Sequence, residues 1–219
     1  MRKVILSREE IYEKEKLVYE KYSIPPLILM ENAGRETALE VMRILKKLKK
    51  GNTVVLAGPG NNGGDGMVAA RYLHCNGFPV SVFVTFDSEK VREPSFTNYQ
   101  ILYKMNLVSS LQDIEALRKI IRKNDLIVDA LFGIGLTRPV EGIYKDIINE
   151  INNSGRYIVS IDVPSGIDAD TGCPYSVAVK ADTTVTFGFA KPGLYTEKGK
   201  IYAGKVKVVD IGYPPEFYF

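Results

Sequence analysis

The sequence predicts an α/β protein with a mostly parallel central sheet covered on both faces, preceded by an N-terminal helical extension. Three observations predict it. Short, continuously apolar runs, TVVLA at Thr53 to Ala57, LIVDA at Leu126 to Ala130 and YIVSIDV at Tyr157 to Val163, are the mark of strands buried on both faces. Segments of helical character separate these runs, the alternation that builds parallel sheets. A glycine-rich segment, GPGNNGGDG at 58–66, stands between the first run and a helix, the context of a ligand-binding loop.

Taken in order, Ser7-Arg8-Glu9-Glu10 has capping-box spacing and starts a charged helix that runs to about Tyr22. Pro25-Pro26 interrupts it. A second helix follows from about Leu27 to Leu48, and Gly51-Asn52 ends it; its closing basic residues, Lys46 to Lys50, complement a helix C-terminus. After the strand at 53–57 and the glycine loop come a helix from about Asp65 to Cys75 and a strand at Val80 to Phe86. Two helices, near Ser95 to Met105 and Gln112 to Lys123, precede the strand at Leu126 to Ala130. A helix at Gly142 to Asn153, the strand at Tyr157 to Val163, and strands at Thr183 to Phe187 and Val206 to Ile211 complete the set. No linker or repeat divides the 219 residues, so the chain reads as a single domain over 1–219.

Composition narrows the function classes. Hydrophobic residues at 45% and charged residues at 25% are globular values and exclude a disordered chain. Twenty-nine basic against 26 acidic residues is too even to argue for nucleic acid or a membrane surface as partner. No run of about 18 apolar residues spans a membrane, and the N-terminus lacks the apolar stretch of a signal peptide. Two cysteines without a CxxC exclude a zinc ribbon or a thioredoxin-like centre. The one histidine, His74, is expected to be packed or half-exposed in a helix. The reading is a reduced, cytoplasmic protein.

Parallel sheets bind ligands outside the carboxyl ends of their strands, and three polar loops begin there. Gly58, Gly60 and Gly63 satisfy GxGxxG, and Asp87, ending the next strand, stands where a ribose-binding acid would. A phosphate loop of the Walker type is disfavoured, because Asp65 and not a lysine follows Gly63-Gly64. Asp65 reads equally as the N-cap of the following helix and as a carboxylate for ligand hydroxyls. In the second loop Gly133 and Gly135 offer backbone amides and Arg138 a cation, a set suited to phosphate. In the third, Asp162 ends an apolar strand, where an idle carboxylate would cost desolvation; it is the best acid/base candidate. Asp168 and Asp170 read as exposed turn residues. Lys191 could reach a phosphate or move a proton, although an isolated lysine is usually a solvated surface charge.

In combination, GPGNNGGDG, VDALFGIGLTRP, IDVPSGIDADTG and DTTVTFGFAKPGL, with MENAG at 30–34, resemble the NAD(P)H-hydrate epimerase family over about Met30 to Gly212. The resemblance implies a Rossmann-like three-layer αβα sandwich, usually a homodimer, that interconverts the R and S epimers of hydrated NADH and NADPH. It implies a bound potassium ion held by Asn62, Asp129 and Ser165. It also implies contacts to the hydrated dinucleotide from Asn61, Asn62, Gly63, Gly64, Asp65, Gly133, Ile134, Gly135, Leu136, Thr137, Arg138, Pro139 and Asp162. Family members work with a nucleotide-dependent dehydratase, often fused to them; with the sequence ending at Phe219, the dehydratase is expected to be a separate protein or absent. Asn62, Asp129 and Ser165 offer only oxygen ligands and one carboxylate, which suits a hard monovalent cation.

The hydrate carries its hydroxyl on a carbon beside the ring nitrogen, so loss and return of water through an iminium-like cation is the accessible route. One carboxyl group can serve as acid and base in turn, and Asp162 is assigned that role with Lys191 as the other candidate. Two alternatives remain: an NAD-dependent oxidoreductase, from GxGxxG and Asp87, and a non-enzymatic binding protein of the same fold.

Overall fold

Ser7 starts the first helix as its spacing requires. Its hydroxyl accepts from the Glu10 amide at 3.3 Å while the Glu10 carboxylate accepts from the Ser7 amide at 2.7 Å. Helix α1 (Arg8–Tyr22) ends at Ser23 in the left-handed region, and α2 (Pro26–Leu48) begins on a proline, whose missing N–H costs nothing in a first turn. The computed structural model describes residues 4–218. Met1 to Lys3 and Phe219, on which the expectations about a signal peptide and a fused partner partly rest, lie outside the described residues.

The remaining elements are β1 (Thr53–Ala57), α3 (Asn61–Cys75), β2 (Val80–Val84), α4 (Ser95–Lys104), β3 (Val108–Ser110), α5 (Ile114–Lys123), β4 (Leu126–Ala130), α6 (Gly142–Asn152), β5 (Tyr157–Ile161), β6 (Thr183–Phe187), α7 (Lys200–Ala203) and β7 (Lys205–Val209). The seven strands form one sheet in the order β3-β2-β1-β4-β5-β6-β7, and every pairing is parallel. The chain therefore winds outward from β1 to β3, returns beside β1 as β4, and winds outward again. The crevice between β1 and β4 is the topological switch point.

Strand alternation sorts the core into two layers. Val55 and Ala57 of β1 pack with Ala33, Val41, Met67 and Ala70 from α2 and α3. Val54 and Leu56 turn the other way, onto Leu117, Ile121, Ile147 and Ile151 of α5 and α6. Each fully buried aliphatic chain contributes about 1.5–3 kcal/mol. The N-terminal extension is no appendage. Glycine at 34 lets α2 lie directly on α3, where a Cβ would stand 2.4 Å from the Val68 Cβ and 2.6 Å from the Asp65 carbonyl oxygen.

Among the differences from the sequence expectation, beside shifts of a residue or two at the ends of β2, α5 and β7, are three more. Strand β3 was not foreseen; its VSS is too short and too exposed to leave an apolar signature. The helix after the glycine loop begins at Asn61, not Asp65, with Gly60 as its N-cap. Glycines lower helix propensity by about 1 kcal/mol each, but here close packing demands them. A Cβ on Gly63 would lie 1.9 Å from the Gly58 carbonyl oxygen, and one on Gly64 would strike Met30 and Ser95. The third strand of the prediction stops at Ile161, because Asp162 leaves it with φ +64.

Candidate active site

A cavity of about 820 Å³ opens at the carboxyl ends of the strands, over the switch point. Its walls come from four places. The β1–α3 turn supplies Gly60, Asn61, Asn62 and Asp65; the loop after β4 supplies Gly133 to Pro139; the ends of β5 and β6 supply Asp162, Phe187 and Lys191; and α1 supplies Ile11, Tyr12, Glu15 and Tyr19. The free amides of the α3 N-terminus face this space, a ready anion site. Arg138 is exposed on the same wall. Phe132 and Tyr144, with ring centroids 4.8 Å apart, add an aromatic surface.

Asp162 adopts a left-handed backbone, uncommon for a residue with a Cβ and most tolerated in Asp and Asn. The turn aims its carboxylate across β6. Oδ1 accepts from the Lys191 ammonium at 2.5 Å, the Thr186 hydroxyl at 3.2 Å and the Phe187 amide at 3.4 Å. Lys191 corrects the expectation of a solvated surface charge: it is 2% exposed and also donates to the Phe187 carbonyl at 3.0 Å. A buried ammonium needs such partners.

Asp65 also departs from its expected place. It lies in the second turn of α3, not at the cap, and is buried on the cavity wall. Burial, reinforced by the charges of Asp162 and Glu15, pushes its carboxyl well above the usual 3.8. Gly63 and Gly64, expected among the ligand contacts, do not line the cavity; their missing side chains serve packing.

Asp129 and Ser165 lie behind the wall, not on it. Asp129 is fully buried and accepts from the Ser160 hydroxyl at 2.7 Å, the Ser165 amide at 2.9 Å, the Ser165 hydroxyl at 2.5 Å and the Leu131 amide at 3.4 Å. Burial raises its pKa, against these donors, which lower it. Among the described residues no cationic side chain pairs with it. Ser165 Oγ is also 2.9 Å from the Phe132 amide and 3.2 Å from the Phe132 carbonyl, which ties the two loops together. Asn62 contributes a buried Nδ2 without a partner.

Other expectations fail. Asp87 is 80% exposed, pairs with Lys90 and lies off the cavity, so it is no ribose acid. His74 is exposed in the last turn of α3, at the end away from the site, not packed. Asp170 accepts from the Arg8 amide at 2.8 Å, and Asp168 from the Thr171 amide and the Tyr175 hydroxyl. They are half-buried anchors rather than loose turn residues. Sequence reasoning missed Glu15 and Tyr213, both on the wall. The signal was present for Glu15: it stands between Ile11 and Val18 at helical spacing, an acid on the buried stripe.

A doubly wound parallel sheet with a switch-point cavity, a free helix N-terminus and a buried lysine–aspartate pair defines a nucleotide-handling α/β enzyme. The comparisons narrow this. The family model for the YjeF-related protein N-terminus matches residues 26–193. An NAD(P)H-hydrate epimerase of Limosilactobacillus fermentum is 38% identical over 207 residues, covering 94% of this chain and 95% of its own. A bifunctional NAD(P)H-hydrate repair enzyme of Thermofilum pendens is 41% identical over 198 residues; the match covers 89% of this chain but only 37% of that longer protein. The crystal structure of the yeast protein YNL200c superposes with a TM-score of 0.80 at 28% identity, over 97% of this chain and 91% of the other. The chain belongs to the NAD(P)H-hydrate epimerase family.

Proposed function

We propose that this protein interconverts the R and S epimers of hydrated NADH and NADPH, with Asp162 as the carboxylate at the reacting carbon. The observation that carries the reading is the Asp162–Lys191 pair on the wall of a nucleotide-sized cavity. The α3 N-terminus, the glycine-bearing loop at 133–139 and Arg138 suit the diphosphate. The aromatic rings suit the nicotinamide and adenine. An acid on the cavity wall protonates the C6 hydroxyl, the nitrogen lone pair expels it as water and leaves an iminium-like cation, and water returns on either face. The Asp162 carboxylate, anchored by the Lys191 ammonium, stabilises that cation and accepts a proton from the returning water.

Potassium fits the residues behind the wall. Ser165 has one hydroxyl proton for two nearby oxygens, one on Asp129 and one on Phe132, and the fully buried Asp129 carboxylate lacks a cationic partner among the described residues. An oxygen-only donor set around a carboxylate of this kind suits a monovalent hard cation. Asn62, Asp129 and Ser165 would hold it. When bound, it supplies charge that fixes the two loops rather than chemistry. We read the enzyme as a cytoplasmic homodimer.

Proton NMR of an R/S hydrate mixture tests the activity. Wild-type protein is expected to bring the two signal sets into exchange. Asp162→Asn is expected to bind the hydrate and slow exchange by roughly 10²–10⁴-fold, the usual worth of one acid/base group. Exchange at the wild-type rate in that variant removes the role of Asp162. Oxidation of NADH by the wild type would instead favour an oxidoreductase.

A further inference from the structure

Epimerisation through loss of water needs a proton donor for the departing hydroxyl. Asp162 Oδ1 is already occupied by the Lys191 ammonium at 2.5 Å, the Thr186 hydroxyl and the Phe187 amide. A second carboxyl group faces the same cavity. Glu15 lies on α1, outside the sheet and its loops, and lines the wall with Tyr12 and Tyr19 along one stripe of that helix. Tyr213, buried and stacked on Phe189 at 5.1 Å, donates its hydroxyl to Glu15 Oε1 at 3.2 Å. That bond occupies one carboxyl oxygen and leaves the other available. The helix is held in register by Ile11 and Val18 in the core and by the Arg8 amide on Asp170.

Resting on the epimerase reading, we propose that Glu15 is a second catalytic carboxyl group, the general acid that protonates the departing C6 hydroxyl, with Tyr213 as its positioning residue. The step balances. The Glu15 proton goes to the hydroxyl oxygen, the C6–O bond breaks with its electron pair leaving on water, and the ring nitrogen lone pair forms the C=N bond. Water then adds to C6, and its proton passes to Asp162 on one face or back to Glu15 on the other. A proton gained by Asp162 passes to solvent and Glu15 takes one up from solvent before the next turnover, so no co-reactant is consumed.

The surroundings of the two acids separate their roles. Glu15 faces Asp162 from β5, Lys191 from beyond β6, Asp65 from α3, Tyr213 from beyond β7, and Tyr12 and Tyr19 from its own helix. Burial, and next the Asp162 charge, raise its pKa; the Tyr213 hydrogen bond and Lys191 oppose them. The net direction favours the protonated form of Glu15.

The test is the pH profile of epimer exchange, read by proton NMR on the wild type, Glu15→Gln, Glu15→Asp and Tyr213→Phe. Wild-type exchange is expected to fall as pH rises through the raised Glu15 pKa. Glu15→Gln should slow exchange by roughly 10²–10⁴-fold, retain hydrate binding and lose that fall, and Glu15→Asp should restore part of the rate. Tyr213→Phe removes a bond that lowers the Glu15 pKa, so the fall should move to higher pH, a change that loosened packing would not cause. Glu15→Gln exchanging at the wild-type rate, or Tyr213→Phe leaving the profile in place, overturns the assignment. Wild-type protein that leaves the epimers unexchanged overturns the epimerase reading itself, and the assignment with it.

Discussion

The Lys191 ammonium lies 2.5 Å from Oδ1 of Asp162, with the lysine side chain 2% and the aspartate side chain 13% exposed. The pair joins the turn after β5 to the turn after β6, two segments that touch only because those strands are neighbours. Removing one partner of a buried pair leaves an uncompensated charge, which costs about 3–5 kcal/mol. Lys191→Met is therefore expected to lower the urea midpoint sharply, and Lys191→Met combined with Asp162→Asn to regain part of the loss. Additive losses in the double variant would show that the two groups are not coupled.

Helix α2 rests on α3 through Gly34. Alanine at this position would set a Cβ against Val68 and against the backbone oxygen of Asp65. Overpacking of this kind costs about 1–3 kcal/mol. A second change, Val68→Ala, removes only the Cγ1 contact; the closer Val68 Cβ contact and the backbone one remain. Thermal unfolding should show a lowered Tm for Gly34→Ala and only partial recovery in the double variant.

Asp65 has a folded-state pKa well above its ordinary 3.8, because burial and the neighbouring acids disfavour its charge. Between those two values the native protein holds a proton that the unfolded chain has released. Stability from this group therefore falls as pH rises above about 4. Asp65→Asn removes the dependence. Its stability relative to wild type should improve steadily from pH 4 to pH 7 in urea titrations. A constant difference across that range would mean that Asp65 is ionised in the native state.

Potassium is expected to stabilise the fold through Asp129, Ser165 and Asn62. A ligand at a hundredfold excess over its Kd adds about 2.7 kcal/mol to stability. The Tm should be higher in potassium chloride than in lithium chloride at equal ionic strength, and Ser165→Ala should abolish the difference. Equal values in both salts for the wild type would argue that no selective cation site exists.

The chain order of strands and helices was legible because burial on both faces demands continuous apolar runs, as in TVVLA and LIVDA, and because Ser7 and Gly51 punctuate helices locally. The three polar loops were legible for the same reason: each follows such a run. Tertiary structure alone decided what the loops and helices do to one another. GPGNNGGDG reads as a loop, yet most of it is helix, because contacts with Gly58, Met30 and Ser95 favour missing side chains over helix propensity. Lys191 reads as a surface charge until β6 is paired beside β5 and Asp162 turns toward it. Glu15 belongs to the cavity only because α1 folds back across the sheet edge, a contact between residues separated by most of the chain, as its bond to Tyr213 shows. Local sequence specifies local backbone preference and periodicity; the charge environment of a side chain depends on partners brought close only by folding.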